Sequence, residues 1–207
     1  MATIILAKQQ RSIFLLILFF TIFSFSTSLA IAEDPSDEVF SKYISPSSVG
    51  LTKREKLSHL HFYLHDIVSG RNATAIRVAG AIKAKRTAAA SSSPFSFGSV
   101  YMIDDPLTMK PDINSTMVGR AQGLYSYASQ SELSLLMVLN FAFTHGKFNG
   151  STLSVLGRNN ALSTVREMPI LGGSGVFRFA RGYAQAKTYS INFVEAIVEY
   201  NVYVFHY

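Results

Sequence analysis

The chain has 207 residues, with 16 Phe, 10 Tyr, no Trp, no Cys and a formal net charge of +6. Lack of cysteine excludes disulfides, thiolate nucleophiles and sulfur metal ligands, so core packing and hydrogen bonds alone must hold the fold. No G-x-S-x-G elbow, spaced pair of catalytic carboxylates or glycine-rich strand-to-helix loop occurs, which weighs against hydrolase and nucleotide-binding classes. We expect no metal, no cofactor and no nucleic-acid partner.

Lys8 and Arg11 precede an uncharged apolar run from Ile13 to Phe25, and small residues follow as far as Ala30-Ile31-Ala32. That order describes a secretory signal with an A-x-A cleavage site, and the run is shorter than the ~18–20 apolar residues of a membrane helix. The expectation is a signal peptide over 1–32, no membrane anchor and export to the extracellular space. Cleavage would leave 175 residues, enough for one domain, and would take the charge from +6 to +4 through loss of two cations. Such mild basicity suits contact with acidic wall polysaccharide, so a wall-binding module is one functional reading. Sequons at Asn72, Asn114 and Asn149 mark three candidate glycosylation sites. Residues 33–55 are polar and rich in Ser and Pro, reading as a flexible leader to a domain over 56–207.

Within that domain, period-two alternation of aromatic and β-branched residues predicts strands over 57–68, 75–81, 99–103, 119–128, 133–144, 151–156, 165–171, 176–188 and 196–205. An Ala/Ser tract over 87–96 reads as a loop. Asp104-Asp105-Pro106, Asn149-Gly150, Gly157-Arg158-Asn159-Asn160 and Gly172-Gly173-Ser174-Gly175 read as tight turns. Eight or nine short-linked strands favour a closed antiparallel barrel, which removes exposed strand edges, with a sandwich as the alternative. An eight-stranded barrel is wide enough for one small ligand.

Polar residues on apolar faces are the candidate chemistry. In the first strand Leu60, Phe62, Leu64 and Asp66 share one face, and His59, His61, Tyr63 and His65 the other. Asp66 either lines the lumen, where desolvation would raise its pKa, or caps a turn. Arg166 shares a face with Met168 and Ile170; it either meets Asp66 or a ligand oxygen in the lumen, or reaches solvent at a strand end. The three histidines have the two-residue spacing of a cupin metal site. The remaining His145 and His206 do not complete one, and surface or subunit contacts explain the set more cheaply. Phe141 and Phe143 share one face, as do Phe177, Phe179 and Tyr183; most are core, and a minority in a pocket would suit flat aromatic ligands.

The segments His61-Phe62-Tyr63-Leu64-His65-Asp66-Ile67, Phe97-Gly98-Ser99-Val100 with Asp104-Asp105-Pro106-Leu107-Thr108, Val118-Gly119-Arg120-Ala121-Gln122-Gly123 and Val165-Arg166-Glu167-Met168-Pro169, in this order, resemble motifs of the plant dirigent family. The resemblance covers nearly all of 56–207. It implies an all-β, eight-stranded antiparallel β-barrel of the allene oxide cyclase-like, calycin-like kind, forming a homo-oligomer (dimer or trimer) in the apoplast. It also implies a scaffold without an oxidising centre: a laccase or peroxidase makes phenoxy radicals from monolignols, and the pocket directs their coupling to one stereoisomer in lignan-type phenylpropanoid biosynthesis. The site residues it implies are Asp66, Arg166 and Tyr125, in a substrate pocket that we expect to include Phe62, Leu64, Phe141, Phe143, Asn159, Met168 and Val198.

Lignan-forming members carry an Asp where this chain has Asn159, and an amide cannot act as that general acid. The Gly-Arg-Asn variant resembles another branch, which includes members that dehydrate an isoflavanol to a pterocarpan through a quinone methide. Three readings therefore stay open: a guide for radical coupling, a dehydratase or lyase in which Asp66 moves the proton, and a wall-binding module.

Overall fold

The computed structural model describes residues 41–51, 54–80 and 96–207. The chain divides into two units, Met1–Ser45 and Pro46–Tyr207, and the fold described is that of the second. The signal peptide over 1–32, residues 33–40 of the leader and residues 87–95 of the Ala/Ser loop lie outside the described residues. Within the leader, Pro46–Val49 forms a single 3-10 turn.

Among the described residues nine strands follow: β1 (Lys56–Ile67), β2 (Ala75–Ala79), β3 (Val100–Thr108), β4 (Met117–Tyr127), β5 (Ser134–Phe143), β6 (Thr152–Asn160), β7 (Arg166–Ser174), β8 (Arg181–Ile191) and β9 (Glu195–His206). They pair in the order β1-β9-β8-β7-β6-β5-β4-β3-β2, and β1 also pairs with β3. That last pairing closes a ring of eight antiparallel strands and leaves the short β2 as a flap on β3. Closure matches the alternation: β5 buries Met137, Leu139, Phe141 and Phe143 while intervening residues remain more exposed.

One end of the ring is sealed by aromatic rings. Phe62 meets Phe141 edge to face at 5.1 Å and stacks on Tyr200 at 5.8 Å, and Phe143, Phe148 and Phe177 continue the cluster. Phe177 reaches it because Gly175–Phe177 forms a 3-10 turn outside the sheet, so β8 begins only at Arg181 rather than at Val176 as expected. The shared face expected for Phe177, Phe179 and Tyr183 is thereby broken: Phe177 is buried, while Phe179, with φ of 61°, and Tyr183 are exposed.

Two of the expected turns are strand. Asp104-Asp105-Pro106 lies inside β3 and Gly157-Arg158-Asn159-Asn160 inside β6, while Gly172-Gly173-Ser174 extends β7. Pro106 is tolerated because the Asp104 N–H points away from β4, to the Thr74 carbonyl at 3.0 Å. Position 106 has the same parity, so its missing N–H faces the gap between β1 and β2 and costs no β3–β4 bond. Gly157 is required by a close approach: a Cβ there would lie 3.0 Å from Met168 Cβ and 3.1 Å from Pro169 Cδ.

Phe141 is fully buried at the sealed end, edge to face with two rings, Phe62 and Tyr200. Phe141→Ala is expected to lower unfolding stability by about 3–5 kcal/mol, read from the denaturant midpoint at unchanged m-value.

Candidate functional site

The opposite end of the ring opens into a cavity of about 520 Å³. Its position follows from strand polarity. The C-terminal ends of β1, β4, β6 and β8 meet the N-terminal ends of β3, β5, β7 and β9 at this mouth, and inward positions there change from apolar to polar. Asp66, Tyr125, Asn159 and Arg166 all line the cavity, as do Leu64 and Val198. Phe62, Phe141, Phe143 and Met168 do not; they face inward as expected, but lie lower along the barrel in the packed core. Alternation identifies a face and not a height on it, which is why these four were placed in the pocket.

The cavity has two chemically distinct poles. At the first, the Tyr125 hydroxyl donates a hydrogen bond to the Asp66 carboxyl. Burial pushes Asp66 up to about 6, with the nearby Tyr125 hydroxyl pulling the other way. The same burial, together with the neighbouring carboxyls, keeps the Tyr125 phenol above its ordinary value, so it stays protonated. Tyr127, stacked into a tyrosine cluster with Tyr101 and Tyr125, is raised for the same reason.

Beside Asp66 lies Asp105, which sequence reasoning missed because Asp-Asp-Pro reads as a turn. It is wholly buried. Burial first and the Asp66 charge second push it up to about 8, against a hydrogen bond with Thr74 at 2.6 Å. Its signal was present in the alternation Ile103, Asp105, Leu107, all buried on one face of β3.

At the second pole, Arg166 is 5% exposed. Its Nε donates to Asn159 Oδ1 at 3.0 Å and its Nη1 to Thr188 Oγ1 at 3.0 Å. The β6–β7 register that sets Val155 opposite Ile170 runs on to bring Asn159 opposite Arg166. Asn159 also turns its amide to Met137 Sδ at 3.6 Å. Of the alternatives read for Arg166, pairing with Asp66 is not seen: among the described residues, no ion pair includes Arg166. Burial lowers its pKa, partly offset by nearby Tyr200, whose phenol is itself held well above its usual range by burial. A guanidinium with neutral partners and spare N–H donors is a seat for a ligand oxygen that carries negative charge.

The histidines have other roles. His59 bonds Asn201 and stacks on Tyr203 at 4.6 Å, and His61 bonds Glu199. His65 is buried between Thr108 and Glu195. The three sequon asparagines, Asn72, Asn114 and Asn149, are exposed.

The family model described as "Dirigent-like protein" matches residues 57–205. The chain belongs to the dirigent family. Dirigent protein 21 of Arabidopsis thaliana is 53% identical over 156 residues, covering 74% of this chain and 79% of that one. Pterocarpan synthase 1 of Glycyrrhiza echinata is 52% identical over 167 residues, covering 79% and 85%. Among solved structures, a pterocarpan synthase dirigent protein matches with 50% identity and a TM-score of 0.68, covering 75% of this chain and 88% of that one. The dirigent barrel is thus the scaffold on which both poles are mounted.

A carboxyl raised above its unfolded value contributes stability that is full below about pH 3.9 and lost as pH rises through the folded value. For Asp105 that window runs up to about 8. Asp105→Asn is therefore expected to gain thermal stability relative to the parent from pH 4 to pH 8, by several degrees at the upper end, in circular-dichroism melts. A gap that stays flat with pH would mean that the Asp105 carboxyl titrates in the folded chain as it does in the unfolded one.

Proposed function

We propose that this dirigent protein is a lyase acting on a phenolic alcohol, removing water to give a quinone methide that an internal hydroxyl captures within the cavity. The observation that carries this reading is the buried, acid-free environment of Arg166 facing an Asp–Tyr acid pole in one cavity. A radical-coupling guide relies chiefly on orientation in a shaped cavity, with acid help only as a quinone methide closes, whereas loss of water needs both a proton donor and a seat for the developing phenoxide.

In the proposed sequence the phenol proton leaves and the developing phenoxide faces Arg166. The C–O bond to the departing hydroxyl breaks as Asp66 delivers a proton to it, releasing water. The internal hydroxyl then attacks the methide carbon and gives up its proton, and the phenol regains its own. One water is lost and no oxidant is consumed. The 520 Å³ volume suits one drug-sized ligand, and the likeness to two pterocarpan synthases supports an isoflavanol-type substrate.

The second reading, stereochemical guidance of monolignol radicals made by a laccase or peroxidase, is favoured by the apolar walls of Leu64, Ile103, Leu135, Met137 and Val198. We also infer export to the apoplast, supported by the apolar N-terminal run, and self-association, supported by the partly exposed ring stack of His59, Tyr203 and Tyr183.

Chiral chromatography of products from an isoflavanol and from coniferyl alcohol, with and without a one-electron oxidase, separates the two. Oxidase-independent loss of the isoflavanol is expected, falling by about 10²–10⁴-fold in Asp66→Asn. Stereochemical excess that appears only with the oxidase would replace the lyase reading with the guide.

Asn159→Asp provides a second check, because it would give Arg166 an anionic partner across the same register. Turnover is expected to drop at least ten-fold, with the folded state retained by circular dichroism.

A further inference from the structure

Among the described residues, two buried side-chain oxygens have no hydrogen-bond partner, Asp66 Oδ1 and Asp105 Oδ2. Both carboxyls line the same cavity, and strand register explains their meeting. Leu64 stands opposite Leu107 across β1 and β3. The next inward position toward the mouth is Asp66 on one strand and Asp105 on the other.

The ladder stops at that point because Thr74 enters the seam. Its N–H donates to the Ile67 carbonyl at 2.8 Å and its carbonyl accepts from Asp104 N at 3.0 Å. Its hydroxyl lies 2.6 Å from Asp105 Oδ1 and accepts from Ile67 N at 3.1 Å. One oxygen of Asp105 is thereby fixed and the other left without a partner. Two ionised carboxylates in this setting would each carry an unsatisfied buried oxygen and would repel one another, whereas one shared proton relieves both costs.

We propose that Asp66 and Asp105 form a proton-sharing pair in which Asp105 is a second acid of the cavity, supplying the shared proton to Asp66, and Thr74 is the positioning residue that holds Asp105. In the reaction this rests on the lyase reading. The shared proton moves from Asp105 to Asp66, directly or through a water, as Asp66 gives it to the departing hydroxyl, and the pair recovers the proton that the ring-closing hydroxyl releases. The cycle needs no external acid.

The groups facing Asp105 agree with this assignment. Asp66 on β1 raises it, and on β3 itself Asp104 adds to the same effect. Tyr125 on β4 and Tyr200 on β9 remain protonated and neutral beside it. Arg120 on β4 pulls the other way, but is bound to Asp104 at 2.6 Å. Arg166 lines the far side of the cavity.

The test is a pH titration of the protein with ¹³C-labelled aspartate carboxyls, followed by NMR. The parent is expected to show two elevated, coupled steps; Asp66→Asn should move the Asp105 step down and Thr74→Val should move it up. An Asp105 carbon titrating near an ordinary ~4, or one unmoved by Asp66→Asn, overturns the pair. For the role in turnover, Asp105→Asn should slow kcat at least ten-fold with KM little changed, while Thr74→Val shifts the pH–rate profile without abolishing it. An unchanged kcat in Asp105→Asn overturns the relay. If the parent consumes no phenolic alcohol and yet the coupled titration is present, the lyase reading fails and the proton-sharing pair stands.

Discussion

The ring of strands closes between β1 and β3 on two facing pairs, Tyr63 with Thr108 and Leu64 with Leu107, whereas β1 and β9 face each other over twelve. A closed sheet needs every edge satisfied, so the rest of this short seam must be bridged by other means. Toward the mouth, Thr74 supplies backbone and hydroxyl groups to both strands, and β2 takes over the upper edge of β3. The strands therefore diverge just where Asp66 and Asp105 turn inward. Pro106, which cannot donate, falls at the point where no strand asks it to. The seam, the wide end of the barrel and the acid pole share one origin.

The other pole obeys a different constraint. Gly157 has no side chain, and so β7 can approach β6 closely enough for Asn159 to accept from Arg166. The charge on Arg166 is then oriented by hydrogen bonds without being neutralised, since an amide and a hydroxyl are its partners. Burial of an unpaired cation costs stability. The core beneath offsets that cost, with Phe62, Phe141 and Tyr200 packed ring on ring.

Much of this was legible in the sequence. Alternation in 57–68, 133–144 and 196–205 was strong enough to give strands and faces, and it singled out Asp66 and Arg166 as polar residues on apolar faces. Tyr125 came from resemblance alone, because a tyrosine in an aromatic-rich strand breaks no pattern. Asp105 was hidden by local turn chemistry: Asp-Asp-Pro has the composition of a turn, and only the seam makes it strand. Gly157 interrupted β6 in the same way, since a glycine on the inward face erases the alternation that Leu153, Val155 and Asn159 otherwise continue. Height along the barrel axis was not readable either. It depends on strand stagger, which is fixed by pairings between residues far apart in the chain, so Phe62, Phe141, Phe143 and Met168 could not be told from the residues that reach the cavity.

The twelve-pair ladder between β1 and β9 also sets the order of events at the ribosome. Strand β1 must pair with β9, more than a hundred residues later, so the ring cannot close until β9 has been made. Until then β1 presents an unmet edge where β9 will pair, with Leu60, Phe62 and Leu64 along the strand. Such long-range closure makes folding slow and leaves a sticky edge exposed meanwhile. The histidines and the basic Lys56 along that strand double as gatekeepers, adding polarity to its outer face during the wait.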